Sequence, residues 1–101
     1  MVANILQIDE IVSAPNVRGG RPVIAGTGIR VSDVVAYHLY GDKLTPDQIA
    51  EDFQLPLGQV HAALAYYYLH QDEIDTEMRR DDEEAERLKE ELKNMGRLIE
   101  L

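Results

Sequence analysis

Three histidines and a small cluster of arginines are the side chains of this chain with the widest chemical reach. His38, His61 and His70 are its only imidazoles, the groups suited to acid–base work or metal binding near neutral pH. None stands in a His-x-x-x-His or Glu-x-x-His spacing, and no serine lies beside one in sequence. Neither a helical metal pair nor a nucleophile–base pair is therefore written locally in the chain. With no cysteine, disulfides and thiolate zinc sites are excluded. The expectation is a non-enzymatic protein with no catalytic residue, no cofactor and no metal.

Arg18, Arg21 and Arg30 lie within Ser13–Ser32, a segment that holds no acidic residue. Guanidinium groups grip phosphates in a bidentate manner, so three of them around a hairpin would make a nucleic-acid wing. The alternative is that they pair with carboxylates of their own acidic chain, and the sequence leaves both readings open. Gly19-Gly20 and Gly26-Thr27-Gly28 lack the Lys-Ser/Thr of a phosphate loop and the spacing of a dinucleotide site, and read as turn glycines. The run Tyr66-Tyr67-Tyr68 invites a base-stacking role. Three adjacent helical residues point in three directions, however, so core and interface packing explains them better.

The elements that must position these groups are legible from local signals. Residues 1–10 hold a short apolar arm (Val2, Ile5, Leu6, Ile8). Val23–Ala25 and Ile29–Val31 flank Gly26-Thr27-Gly28, which predicts a tight hairpin with strands near 22–25 and 28–31, because glycine supplies the positive φ of such turns. Ser32 is expected to cap a first helix, with Asp33 in its first turn and Gly41 as its stop. Thr45-Pro46-Asp47-Gln48 reads as N-cap, N1 proline and capping box of a second helix, whose buried face is Ile49, Ala50 and Phe53. Leu55-Pro56 ends it. A third helix starts near Leu57 and carries Val60, Ala63, Leu64, Tyr67 and Tyr68 inward, with a break near His70-Gln71-Asp72.

Helices two and three have the spacing of a helix-turn-helix pair, small Ala50 allowing close approach. The turn position usually held by glycine is Gln54, which requires a left-handed backbone or a longer turn. At the exposed start of helix three only Gln59 and His61 are able to hydrogen-bond base edges, and the helix contains no arginine or lysine.

The clearest periodicity lies at the C-terminal end. Ile74, Met78, Asp81, Ala85, Leu88, Leu92, Met95 and Ile99 repeat at intervals of four and three, a coiled-coil seam interrupted once by an acid. From Ile74 to Met95 such a helix spans roughly 32 Å, and its stripe is expected to bury against a second chain, the alternative being that it folds back on its own tri-helical core; Gly96 is the expected terminator. The whole chain carries a net charge of −9, which argues against a protein that coats nucleic acid or acidic membranes. From Asp72 to Leu101, twelve acidic residues face six basic ones. No stretch approaches the ~20 apolar residues of a membrane span, and Met1–Asn4 lacks the features of a signal peptide, so the expected compartment is the cytoplasm. The chain thus reads as one mainly α, small α+β domain. Residues 1–71 form the arm, hairpin and tri-helical helix-turn-helix-like core, and residues 72–101 an acidic amphipathic helix of the same domain.

The run Pro15-Asn16-Val17-Arg18-Gly19-Gly20-Arg21-Pro22-Val23-Ile24-Ala25-Gly26-Thr27, followed by Ile29 and Val31–Val35, resembles the signature of the domain of unknown function 433 family. Gly41, Thr45-Pro46, Ile49, Asp52-Phe53 and Val60–Tyr67 fit the same pattern, and the likeness extends over residues 8–75. It implies a winged-helix or homeodomain-like fold. It also implies an antitoxin-like or transcriptional-regulatory, DNA-binding role in a type II toxin–antitoxin pair, with promoter DNA and a PIN-like nuclease toxin as partners. The alternative is a dimerisation or protein-interaction module that binds no nucleic acid. One departure stands out. The family pattern has arginine directly after Gly-Thr and then Ile-Pro-Val, whereas here Gly28 holds the arginine's place and Arg30 the proline's. Arg30 would then substitute from the same strand face. Under these expectations Arg18, Arg21, Arg30, Gln59 and His61 are the nucleic-acid candidates. Ile74, Met78, Asp81, Ala85, Leu88, Leu92 and Met95 are the partner or homodimer interface.

Overall fold

A computed structural model of the protein describes residues 9–99. Most of the apolar arm read at residues 1–10 therefore lies outside the described residues. Two short strands, β1 (Ile11–Val12) and β2 (Val23–Ile24), are followed by helices α1 (Val31–Leu39), α2 (Pro46–Phe53), α3 (Leu57–Leu69) and α4 (Gln71–Ile99). The strands pair antiparallel with Ile11 opposite Ile24 and Val12 opposite Val23. The chain divides into two units at Gln71/Asp72.

The hairpin differs from its expected form, and Thr27 explains why. The turn is where glycine punctuation put it, with Gly26 at φ 78°. The Thr27 hydroxyl donates to the Ile24 carbonyl at 2.9 Å and accepts from the Ile29 amide at 3.0 Å, so it takes groups a longer ladder would use. The returning segment keeps one bridge, Val23 to Arg30, before α1 begins at Val31. No room is left for a strand over 28–31. The other edge of β2 is paired instead by Ile11–Val12, a partner thirteen residues upstream at Ile24.

α1 begins two residues earlier than Ser32 would dictate. Its N-cap is Arg30, whose amide donates to the Asp33 carboxylate at 2.9 Å. Asp33, three residues on, thus supplies the capping oxygen from inside the helix. Ser32 is instead buried, its hydroxyl without a hydrogen-bond partner. α2 obeys its start signal: the Thr45 hydroxyl accepts from the Gln48 amide at 3.2 Å, and the Gln48 side chain accepts from the Thr45 amide at 2.9 Å. It ends at Gln54, which takes the left-handed conformation (φ 55°, ψ 47°). Of the two ways to turn without glycine, the chain uses the strained one.

Helical periodicity sets the core. α1 buries Val31, Val34 and Val35, and α3 buries Val60, Ala63, Leu64 and Tyr67, each at i, i+3 and i+4 spacing. β2 adds Val23 and Ile24, and α2 adds Ile49, while Ala50 and Phe53 are half-buried. Tyr68, expected inside, is exposed. One residue past Tyr67 it stands about 100° round the helix, off the buried stripe. α3 ends at His70 (φ −131°, ψ 41°), where the expected break occurs. α4 does not stop at Gly96 but continues to Ile99. Gly96 is absent from the positive-φ glycines, and an isolated helical glycine costs only about 1 kcal/mol.

Two substitutions test this account. Ser32→Ala removes a buried, unpaired hydroxyl and should raise stability by about 1 kcal/mol. Gln54→Gly relieves the left-handed strain at the end of α2 and should add about 1 kcal/mol. Urea denaturation with the slope held constant reads both; a loss of stability in either variant would refute the corresponding assignment.

Candidate interaction surfaces

Two surfaces follow from the sequence, and the structure arranges them very differently. The first is the arginine-bearing segment with the start of α3. Arg18–Gly20 forms a compact 3-10 turn in which all three residues have positive φ, and the Ser13 hydroxyl donates to the Gly20 carbonyl. Arg18 is exposed there, while Arg21 is half-buried.

Arg30 is engaged within the chain. Its guanidinium donates to Asp33 at 2.9 Å and 3.3 Å, with the two side chains only 18% and 30% exposed. Of the two readings left open for this arginine, the carboxylate-paired one describes its geometry, and the acid it meets belongs to its own helix. A similar thing happens at Gln59, whose amide group donates to the Glu10 carboxylate at 3.1 Å. His61 is exposed beside exposed Gly58 and Leu57. The start of α3 therefore sets a carboxylate where a phosphate-facing surface would need positive charge.

The histidines do not form a centre. The His38 ring nitrogen Nδ1 lies 2.8 Å from the Leu44 carbonyl and ties the loop after α1 back to that helix. His70 stacks on Tyr66 with ring centroids 4.2 Å apart. Among the described residues, no group of three or more His, Asp or Glu side chains gathers to hold a metal.

The second surface is α4, taken by itself. Along its seam Ile74 is buried, and Met78 and Asp81 are half-buried. Ala85, Leu88, Leu92 and Met95 are exposed; the last three side chains present 53%, 59% and 56% of their surface. Ile99 falls outside the described side chains. The part of the seam open to a partner thus begins at Ala85. Ion pairs Arg79–Glu83 (3.9 Å) and Arg87–Glu84 (3.3 Å) lie along the solvated faces and contribute at most a few tenths of a kcal/mol each.

Sequence reasoning missed the two acids that change the first surface. Asp33 carried a usable signal, an acid three residues after an arginine at a helix start. Glu10 carried none, since it meets Gln59 across 49 residues.

Comparison with known proteins agrees with this architecture. No curated protein matches the chain. A crystal structure of a DUF433 member protein from Anabaena variabilis is similar to it with a TM-score of 0.64 and 28% identity, covering 70% of this chain and 69% of that one. The family model described as "Protein of unknown function (DUF433)" matches residues 11–67, from β1 into α3 and short of α4. That match takes in more than half of the chain, which therefore belongs to the DUF433 family.

Proposed function

We propose that this protein is a non-enzymatic, antitoxin-like binding protein whose α4 engages a basic protein partner. The observation that carries this reading is the stripe Ala85, Leu88, Leu92 and Met95, exposed at four-three spacing on a helix that is otherwise charged. A solvated helix does not need such a stripe, and one that docks into a groove does. Covering three half-exposed large side chains is worth about 1 kcal/mol each.

The flanks of the stripe indicate what covers it. With Leu88 and Met95 at d and Leu92 at a, the charged residues at the flanking e and g positions are Asp75, Glu77, Asp82, Glu84, Lys89 and Glu91. All but Lys89 are acidic. In a parallel two-stranded coiled coil each g position faces the e position five residues on in the other chain, so a second copy would set Glu77 against Asp82 and only Glu84 against a base, Lys89. A partner with basic residues beside an apolar groove suits the helix better. A PIN-like nuclease toxin has such a surface, where substrate phosphates bind around its metal-holding carboxylates. The wing reading is less well supported, because Arg30 and Gln59 already hold carboxylates of this chain.

Leu88→Asp with Leu92→Asp, both exposed, should leave the fold intact. It should abolish growth rescue when co-expressed with a toxin encoded beside this protein, because the complex would bury unpaired charge. Rescue equal to that by the unaltered chain would remove α4 as the inhibitory element. Self-association is read separately by light scattering. Asp81→Leu should promote dimers by replacing the acid in the seam, whereas the unaltered chain should be monomeric at micromolar concentration. A tight dimer of the unaltered chain would show that the acidic flanks do not prevent self-pairing.

A further inference from the structure

The C-terminal end of α1, the loop after it and α2 enclose an open pocket of about 480 Å³, a volume typical of ligand sites. Its lining is Ala36, Tyr37, Tyr40, Gly41, Asp42, Leu44 and Asp52. Two tyrosines and two aspartates therefore line one concavity, and no lysine or arginine does. We propose that this pocket binds an arginine side chain of a partner protein, independently of α4.

The composition selects a cation with a flat face. Tyr37 and Tyr40 leave 50% and 55% of their surface exposed. The negative faces of such rings attract guanidinium more readily than ammonium, because the planar ion stacks as well as pairing electrostatically. Asp42 and Asp52 are exposed carboxylates able to take the fork of N–H donors. Arginine uses both features; lysine, a strongly hydrated point charge, uses only the second.

The pocket is also held in shape before anything binds. Tyr37 packs edge-on against Phe53, with centroids 5.2 Å apart and planes at 81°. Gly41 turns the chain at φ 60°. The loop is then fastened by Leu44 N–H to the Tyr37 carbonyl at 2.8 Å, Lys43 N–H to the Tyr40 carbonyl at 3.1 Å, and His38 to the Leu44 carbonyl at 2.8 Å. A fixed loop loses little entropy on binding. Lys43, the nearest cation in sequence, is not among the lining residues.

The test uses the full chain labelled with nitrogen-15 and the probe acetyl-Gly-Arg-Gly-amide, with the citrulline peptide as a neutral isostere. Saturable shifts of the Tyr40, Gly41, Asp42 and Asp52 amides are expected with the arginine peptide. Binding should be about fivefold weaker for the citrulline peptide, and likewise for Asp42→Asn with Asp52→Asn. Tyr40→Phe should retain binding and Tyr40→Leu weaken it. Equal binding of the two peptides, an unaffected double variant, shifts confined to acidic α4, or no saturable shift at all would each overturn the proposal.

Discussion

The N-terminal unit is organised by the need to cover one face of α3. Val60, Ala63, Leu64 and Tyr67 are buried along it, and α1, α2, β1 and β2 all pack against that helix. Because a helix repeats every 3.6 residues, committing these four positions to the interior commits Gly58, His61, Ala65 and Tyr68 to the outside. The exposed face of α3 is thus a by-product of core packing, and its chemistry is meagre: besides Leu57 and Leu69 at its ends, it offers one glycine, one histidine, one alanine and one tyrosine. A helix-turn-helix shape does not by itself make a reader of base edges, which needs donors and acceptors on that face.

The same constraint explains one strained and one unpaired feature of the unit. α2 must turn sharply to bring Ile49 onto α3, and the turn falls on Gln54, which accepts a left-handed backbone at a cost of about 1 kcal/mol. α1 must begin at once after the bridge at Arg30 to lay Val31, Val34 and Val35 into the core. Ser32 then lies in the first turn of α1 and is carried inward with its neighbours. Neither feature stabilises the fold locally; both are tolerated because the shared apolar core, at about 1.5–3 kcal/mol per large buried side chain, outweighs them.

Legibility in the sequence followed the range of the interaction. The capping box at Thr45 and Gln48 and the break at His70 depend on residues within a few positions of one another, and local spacing identified them, whereas at Gln54 it left a left-handed backbone and a longer turn both open. The strand pairing failed because the true partner of β2 is Ile11–Val12, while a nearer candidate lay across the glycine turn. The cap of α1 went to Arg30 and Asp33 because an acid at the third helical position replaced the serine in the role. The seam of α4 was visible as a period, but its burial was not: Ile74 is inside, while Leu88, Leu92 and Met95 are exposed. The pocket formed by Tyr37, Tyr40, Asp42 and Asp52 had no sequence signature, since it exists only after Gly41 bends the loop against α2.

Charge sign connects these separate surfaces. The acids Glu10 at the start of α3 and Asp33 on Arg30 weaken attraction to phosphates at the places where a DNA reader needs it most. The acids on the flanks of α4 and around the loop pocket strengthen attraction to basic side chains. These effects act on different steps of binding. Long-range attraction raises the rate of encounter and falls with salt, whereas the buried apolar stripe and stacked rings govern how long a complex lasts. A protein that holds its partner mainly by Leu88, Leu92 and Met95 should therefore lose association rate, and little residence time, as ionic strength rises. One that holds phosphates would lose equilibrium affinity steeply, with one counterion released per contact. Salt dependence thus separates the two modes of binding on physical grounds that do not require the partner to be known in advance.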